Sequence, residues 1–147
     1  MTPLPAHATA PRRLRWSALL LAVFLAACAV PEWQKAGTPR ADIERTMGAP
    51  TLTATLPEGG ERLVYSRQPA GQQVYHLDFD ARQRLVRVEQ VLTLEHFHAL
   101  RNGVDTRAAV RRTFGPPALV EKAARFNGDI WTYRFRDNGE PRQAHVH

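Results

Sequence analysis

Two stretches of the chain carry the same spacing of apolar positions. In RADIERTMGAP, residues 40–50, Ile43 and Met47 stand four apart; in RAAVRRTFGPP, residues 107–117, Val110 and Phe114 do the same. Residues four apart share one face of a helix, so each pair predicts a short helix with a single apolar stripe. The spacing predicts helices over 39–47 and 106–114. Thr38 is placed to be the N-cap of the first, with Pro39 as its opening residue, where a missing N–H costs nothing. Asp105 takes the position of Thr38 in the second. Each helix meets a glycine, Gly48 or Gly115, suited to a left-handed termination, with Pro50 or Pro117 two residues on. Helices this short are marginal alone and need a partner surface.

A second pattern, period two, supplies that surface. ERLVYSRQ (61–68), QVYHLDFD (73–80) and RLVRVEQVLT (84–93) alternate polar with β-branched or aromatic residues and predict three strands. Tyr75, Leu77 and Phe79 fall on one face of the second strand, and Val86 and Val88 are candidates for that face on the third. DARQ between these strands reads as a hairpin turn. Beyond the second helix, LVEKAARFNGDIWTYRFR holds two more strands with Asn127-Gly128 as a turn signal. Only RQAHVH is then left for another strand.

The two patterns belong to one duplication. Residues 40–52 and 107–119 share seven identities in thirteen positions, namely Arg40/Arg107, Ala41/Ala108, Arg45/Arg112, Thr46/Thr113, Gly48/Gly115, Pro50/Pro117 and Leu52/Leu119. Average composition gives roughly one by chance. With a shift one residue larger, Gly60 meets Gly128, Glu61 meets Asp129 and Tyr65 meets Tyr133. The expected fold class is α+β: two tandem helix-plus-antiparallel-sheet units over 37–93 and 94–147, each a two-layer sandwich, the second shortened and lacking a full third strand.

Residues 1–27 change the picture of where the chain works. They contain Arg12, Arg13 and Arg15, no acid, and an apolar run from Ala18 that ends just before Cys28. A basic region, a short apolar stretch and small residues make an export signal, and the run is short of the about 20 residues that a helical span needs. Leu25-Ala26-Ala27-Cys28 resembles the lipobox of bacterial lipoproteins. That resemblance implies cleavage between Ala27 and Cys28, a diacylglycerol on the sulfur and an acylated amino terminus, with 28–36 as a tether. Cys28 is the one cysteine, so no intramolecular disulfide forms. Ala29 stands where an inner-membrane retention signal has Asp, which favours the outer membrane.

The charge is then re-read without the leader. The full chain carries 20 basic and 14 acidic residues, net +6; removing three arginines leaves +3. An exported domain of this charge has no need of nucleic acid, and its arginines suit lipid phosphates, acidic proteins or envelope polymers. Arg40, Arg45, Arg107 and Arg112 recur on the two helices five apart in each pair, which reads first as a solvated face.

The pattern Gly37, Thr38, Ile43, Met47, Gly48, Pro50, followed by a strand with an aromatic-x-Tyr element (Trp131, Thr132, Tyr133), resembles the BamE family, also called SmpA/OmlA. The resemblance covers about 37–93 and 97–147. It implies short helices on one face of a three-stranded antiparallel sheet, and an outer-membrane lipoprotein attached to the machinery that inserts β-barrel proteins. A tandem of two such units resembles the architecture of the β-lactamase inhibitory protein. The chain departs from the family in having two copies, and in carrying Val104 at the leading glycine of the second, beside Gly103.

Catalytic chemistry finds little purchase. After the leader there is one serine, Ser66, on a strand and without a glycine-flanked elbow, and no glycine-rich phosphate cradle. Asp78 and Asp80 read as exposed hairpin carboxylates. EHFH (Glu95, His96, Phe97, His98) and HVH (His145, Val146, His147) both contain His-x-His, which shares a metal only on a strand; a linker and a chain end are the plainer reading. The expectation is a non-enzymatic, lipid-anchored interaction module of the outer membrane facing the periplasm, accessory to barrel assembly or envelope integrity, with an envelope protein as partner. No cofactor, metal or small-molecule substrate is expected. An inhibitor-type binding protein for an envelope enzyme is the alternative, and a histidine-based metal-binding lipoprotein the weaker one.

Overall fold

The computed structural model describes residues 30–125 and 127–147. Cys28, Ala27 and the whole leader lie outside the described residues. The chain is α+β. After a 3₁₀ turn at Pro31–Trp33 come α1 (Arg40–Met47), then β1 (Leu52–Thr55), β2 (Glu61–Ser66), β3 (Val74–Phe79) and β4 (Leu85–Gln90). Next are α2 (Leu94–His98), α3 (Arg107–Phe114), β5 (Leu119–Glu121), β6 (Ile130–Asp137) and β7 (Glu140–Val146). The strands form two antiparallel sheets, ordered β1-β2-β3-β4 and β5-β6-β7.

Both repeat helices form, and both start one residue later than their sequence implies. Pro39, not Thr38, occupies the N-cap of α1, and the Thr38 hydroxyl donates instead to the Lys35 carbonyl at 2.7 Å. In α3 the cap is Thr106, whose hydroxyl accepts the Ala109 N–H. Asp105 is already engaged by the backbone N–H and guanidinium of Arg101. At the other end, Gly48 (φ +81°, ψ −173°) and Gly115 (φ +70°, ψ −166°) have positive φ with an extended ψ. That combination is essentially closed to side-chain-bearing residues, so the repeated glycine turns the chain directly from helix into strand.

The second half, expected to lack a full third strand, has one. β7 spans seven residues paired in register with β6 from Trp131↔Val146 to Asp137↔Glu140. The second half is short by one strand only in comparison with the first, whose four-residue β1 (LTAT) is too brief to announce itself. On β4, Leu85 rather than Val86 faces inward. The register shifts between Asp78 and Phe79, so Arg87 opposes Asp78 and Leu85 opposes Phe79, leaving Val86 as the extra residue, 56% exposed.

Nor is the first sheet one side of a two-layer sandwich. All six residues of β3 are buried. On one face Leu63, Tyr75, Leu77, Phe79 and Leu85 pack with Ile43, while Met47 lies against the same cluster. On the other, Val64 and Val74 join Val110 and Phe114 of α3 and Trp131, Tyr133 and Phe135 of β6 in a single cluster. The second half therefore sits on the back of the first sheet, and the two halves share one core. Gln68 ties them further: its amide donates to the Arg134 carbonyl at 2.6 Å and accepts the Arg134 N–H at 3.3 Å, taking the place of a strand residue beside β6.

Candidate interaction surface

Most of the repeated residues perform the same task twice. Tyr65 donates its hydroxyl to the Gly48 carbonyl at 3.0 Å, and Tyr133 donates to the Gly115 carbonyl at 3.0 Å. Arg40 pairs with Glu61, and Arg107 with Asp129 at 3.0 Å. Thr46 and Thr113 each return a hydroxyl to the carbonyl four residues back, on Asp42 and Ala109. The first strand of each half starts alike, with Thr51 N–H on the Val64 carbonyl and Ala118 N–H on the Thr132 carbonyl. Apart from the two threonine bonds, which stay within their helices, each contact joins the helix or the segment following it to the strand β2 or β6 of its own half or to the residue that leads into it. The duplicated letters are thus mostly scaffold, and two of the four repeated arginines, expected on a solvated face, are engaged with acids of the sheet. Arg45 remains exposed, pairing with Asp42 within its own helix.

Where the two halves meet, the back of the first sheet carries a row of polar groups. Asp78, expected as an exposed hairpin carboxylate, is buried and accepts two bonds from the Arg62 guanidinium, at 2.6 and 2.7 Å. That doubly bonded carboxylate raises the Arg62 pKa above its ordinary value. Asp80 is a turn residue, accepting the Arg82 and Arg84 N–H groups. On β4, Arg87 pairs with Glu89 at 2.6 Å, and Glu89 lies 3.5 Å from His96. His76 sits opposite Glu89 with its Nε2 2.6 Å from the Thr113 carbonyl. Burial, reinforced by the Arg62 charge, pushes the His76 imidazole down to about 4, so at neutral pH it is uncharged and its Nε2–H donates to Thr113. Burial likewise raises the Tyr65 hydroxyl to about 12 and the Tyr75 and Tyr133 hydroxyls further.

The two His-x-His pairs lie on different elements, α2 and the end of β7. EHFH lies within α2, where residues two apart point in different directions. His96 Nδ1 is 2.7 Å from the Thr93 hydroxyl, and His145 Nδ1 is 3.0 Å from that of Thr132. His145 and His147 line a shallow cleft of about 430 Å³ with Phe97 and Leu100. Among the described residues no group of three or more His, Cys, Asp or Glu side chains could hold a metal ion. The central residue of EHFH is Phe97, which stacks on Phe114 at 4.6 Å and meets Phe135 at 5.1 Å. Ser66, at the end of β2, accepts the Gln68 N–H of the β2–β3 loop.

The large apolar side chains that remain exposed include several at the periphery. Leu119 and Val120 are exposed on the three-residue edge strand β5, Val104 on the loop before α3, and Trp33 on the 3₁₀ turn. A cleft of about 300 Å³ runs beside Arg107, Asp129 and Trp131, with the Arg107 guanidinium 5.7 Å from the Trp131 ring. Sequence reasoning missed Trp33, Leu119 and Val120, because scattered apolar letters in short segments carry no period. No helix among the described residues is long and apolar enough to cross a membrane. No protein-family model, curated protein or solved structure matches the chain.

Proposed function

We propose that this protein is a bacterial outer-membrane lipoprotein, anchored through Cys28, that acts as a non-enzymatic protein-interaction module built from two BamE-like units. The observation that carries the reading is the basic, apolar leader ending in Leu25-Ala26-Ala27-Cys28. The tandem fold draws its support from the equivalent Tyr–Gly and Arg–acid contacts in the two halves. The role itself follows from the family resemblance: an accessory to β-barrel assembly or envelope integrity, facing the periplasm. Exposed apolar residues on the β5 edge suit a protein partner better than a small molecule, since a sheet edge offers backbone groups as well as side chains.

Affinity capture of a C-terminally tagged protein from detergent-solubilised envelopes tests the role, with Cys28→Ala as control. The expected result is recovery of barrel-assembly components with the lipidated protein and not with the variant. Recovery of a soluble envelope enzyme by both forms would replace this reading with an inhibitor-type one.

A further inference from the structure

Trp33 is the most exposed large apolar residue described, at 73%, yet it does not sit on a loose end. The 3₁₀ turn that carries it is closed by Trp33 N–H on the Val30 carbonyl and Gln34 N–H on the Pro31 carbonyl, each at 3.1 Å. Pro31 is buried beneath it. Its neighbour Glu32 is turned onto the fold, where it accepts the Tyr75 hydroxyl and lies 3.9 Å from Arg67. The acid of the turn is thus held by Tyr75 with Arg67 nearby, itself still exposed, while the indole points out. Lys35 follows, exposed. Gln34 and Ala36 border a shallow cleft with Leu85, Val86 and Val88, which brings the exposed Val86 alongside the same segment.

We infer that this turn is a second membrane contact, with Trp33 inserted at the lipid–water interface and Lys35 over lipid phosphates. The inference rests on the reading of Cys28 as the lipidated residue. Trp33 is five positions on from Cys28, and the last three rise only about 2 Å each in the 3₁₀ turn, so Trp33 stays within roughly 13 Å of the acylated sulfur's residue. That places an indole held on a rigid turn at headgroup depth, where its apolar body and N–H are both satisfied. The anchor already provides attachment; the turn adds orientation, fixing which side of the domain faces away from the bilayer and is free for a partner.

The test uses the protein purified from membranes and reconstituted into phosphatidylethanolamine–phosphatidylglycerol vesicles, with and without brominated acyl chains. After leader removal the tryptophans are Trp33 and Trp131, and Trp131 is buried, so the Trp33→Phe variant supplies the background. The expected result is flotation with the vesicles, blue-shifted Trp33 emission, quenching by brominated lipid and protection from acrylamide, with the lipid-quenchable component lost in Trp33→Phe. Flotation with Trp33 fully open to acrylamide overturns the membrane contact and leaves the anchor standing. Flotation with Trp33 shielded from both quenchers also overturns it, and assigns the turn to contact with a second copy. Failure to float overturns the lipoprotein reading itself, and the contact with it.

Discussion

His76 lies between the two halves of the molecule with no room for a charge. It is 3% exposed, donates to the Thr113 carbonyl, and faces the Arg62–Asp78 pair on one side and Glu89 on the other. Its imidazole titrates near 4 in the fold, against an ordinary value of 6.5. Because the folded value is depressed, the unfolded chain binds the extra proton first as pH falls. Stability is therefore full above about pH 6.5 and declines towards pH 4, below which the loss is complete. The whole shift corresponds to about 3 kcal/mol, and about 2 kcal/mol of it is lost between pH 7.5 and pH 5. For a domain of this size that moves a urea midpoint by roughly 1 M. The measurement is urea unfolding at both pH values for the wild type and His76→Gln, which retains a side-chain N–H donor for Thr113 and cannot be protonated. The wild type should lose about 2 kcal/mol more than the variant. Parallel losses in the two proteins would refute a buried, neutral His76 at the junction.

Three further perturbations probe the packing. Tyr133→Phe leaves the Gly115 carbonyl without its donor in the core and should cost about 1–2 kcal/mol, whereas Tyr65→Phe, at the half-buried equivalent, should cost less; chemical denaturation of both variants compares them, and equal costs would count against the difference in burial. Asp78→Ala leaves Arg62 half-buried without its carboxylate and should destabilise by about 3 kcal/mol or more, a value that double-mutant analysis with Arg62→Ala must show to be strongly non-additive. Phe97→Ala removes the ring between Phe114 and Phe135 and should cost about 3 kcal/mol in thermal or urea unfolding; a loss under 1 kcal/mol would remove α2 from the core.

The parts of the fold legible in the sequence are those with a period. Ile43 with Met47 and Val110 with Phe114 mark the helices, and alternation marks β2, β3 and most of β4. The helix starts slip by one residue because Thr38 and Asp105 are both good caps in isolation, and the turns before the helices engage Thr38 with the Lys35 carbonyl and Asp105 with Arg101 instead. β7 is hidden by composition: EPRQAHV is an exposed edge strand whose Ala144 and Val146 alone touch the core. Asp78 is misread for a related reason, since it is held in place by the Arg62 guanidinium from the neighbouring strand, a cross-strand pairing no local pattern encodes. The candidate surface is harder still to read, because Trp33, Leu119 and Val120 are defined by what leaves them uncovered.

Everything proposed about location depends on Cys28. The most direct test is the mass of the mature protein isolated from membranes, combined with metabolic labelling by a fatty-acid analogue. The account predicts a chain that begins at Cys28, carries a diacylglyceryl group and an N-acyl chain, and loses the label in Cys28→Ala. A 147-residue chain with its leader intact and a free thiol at Cys28 would contradict it.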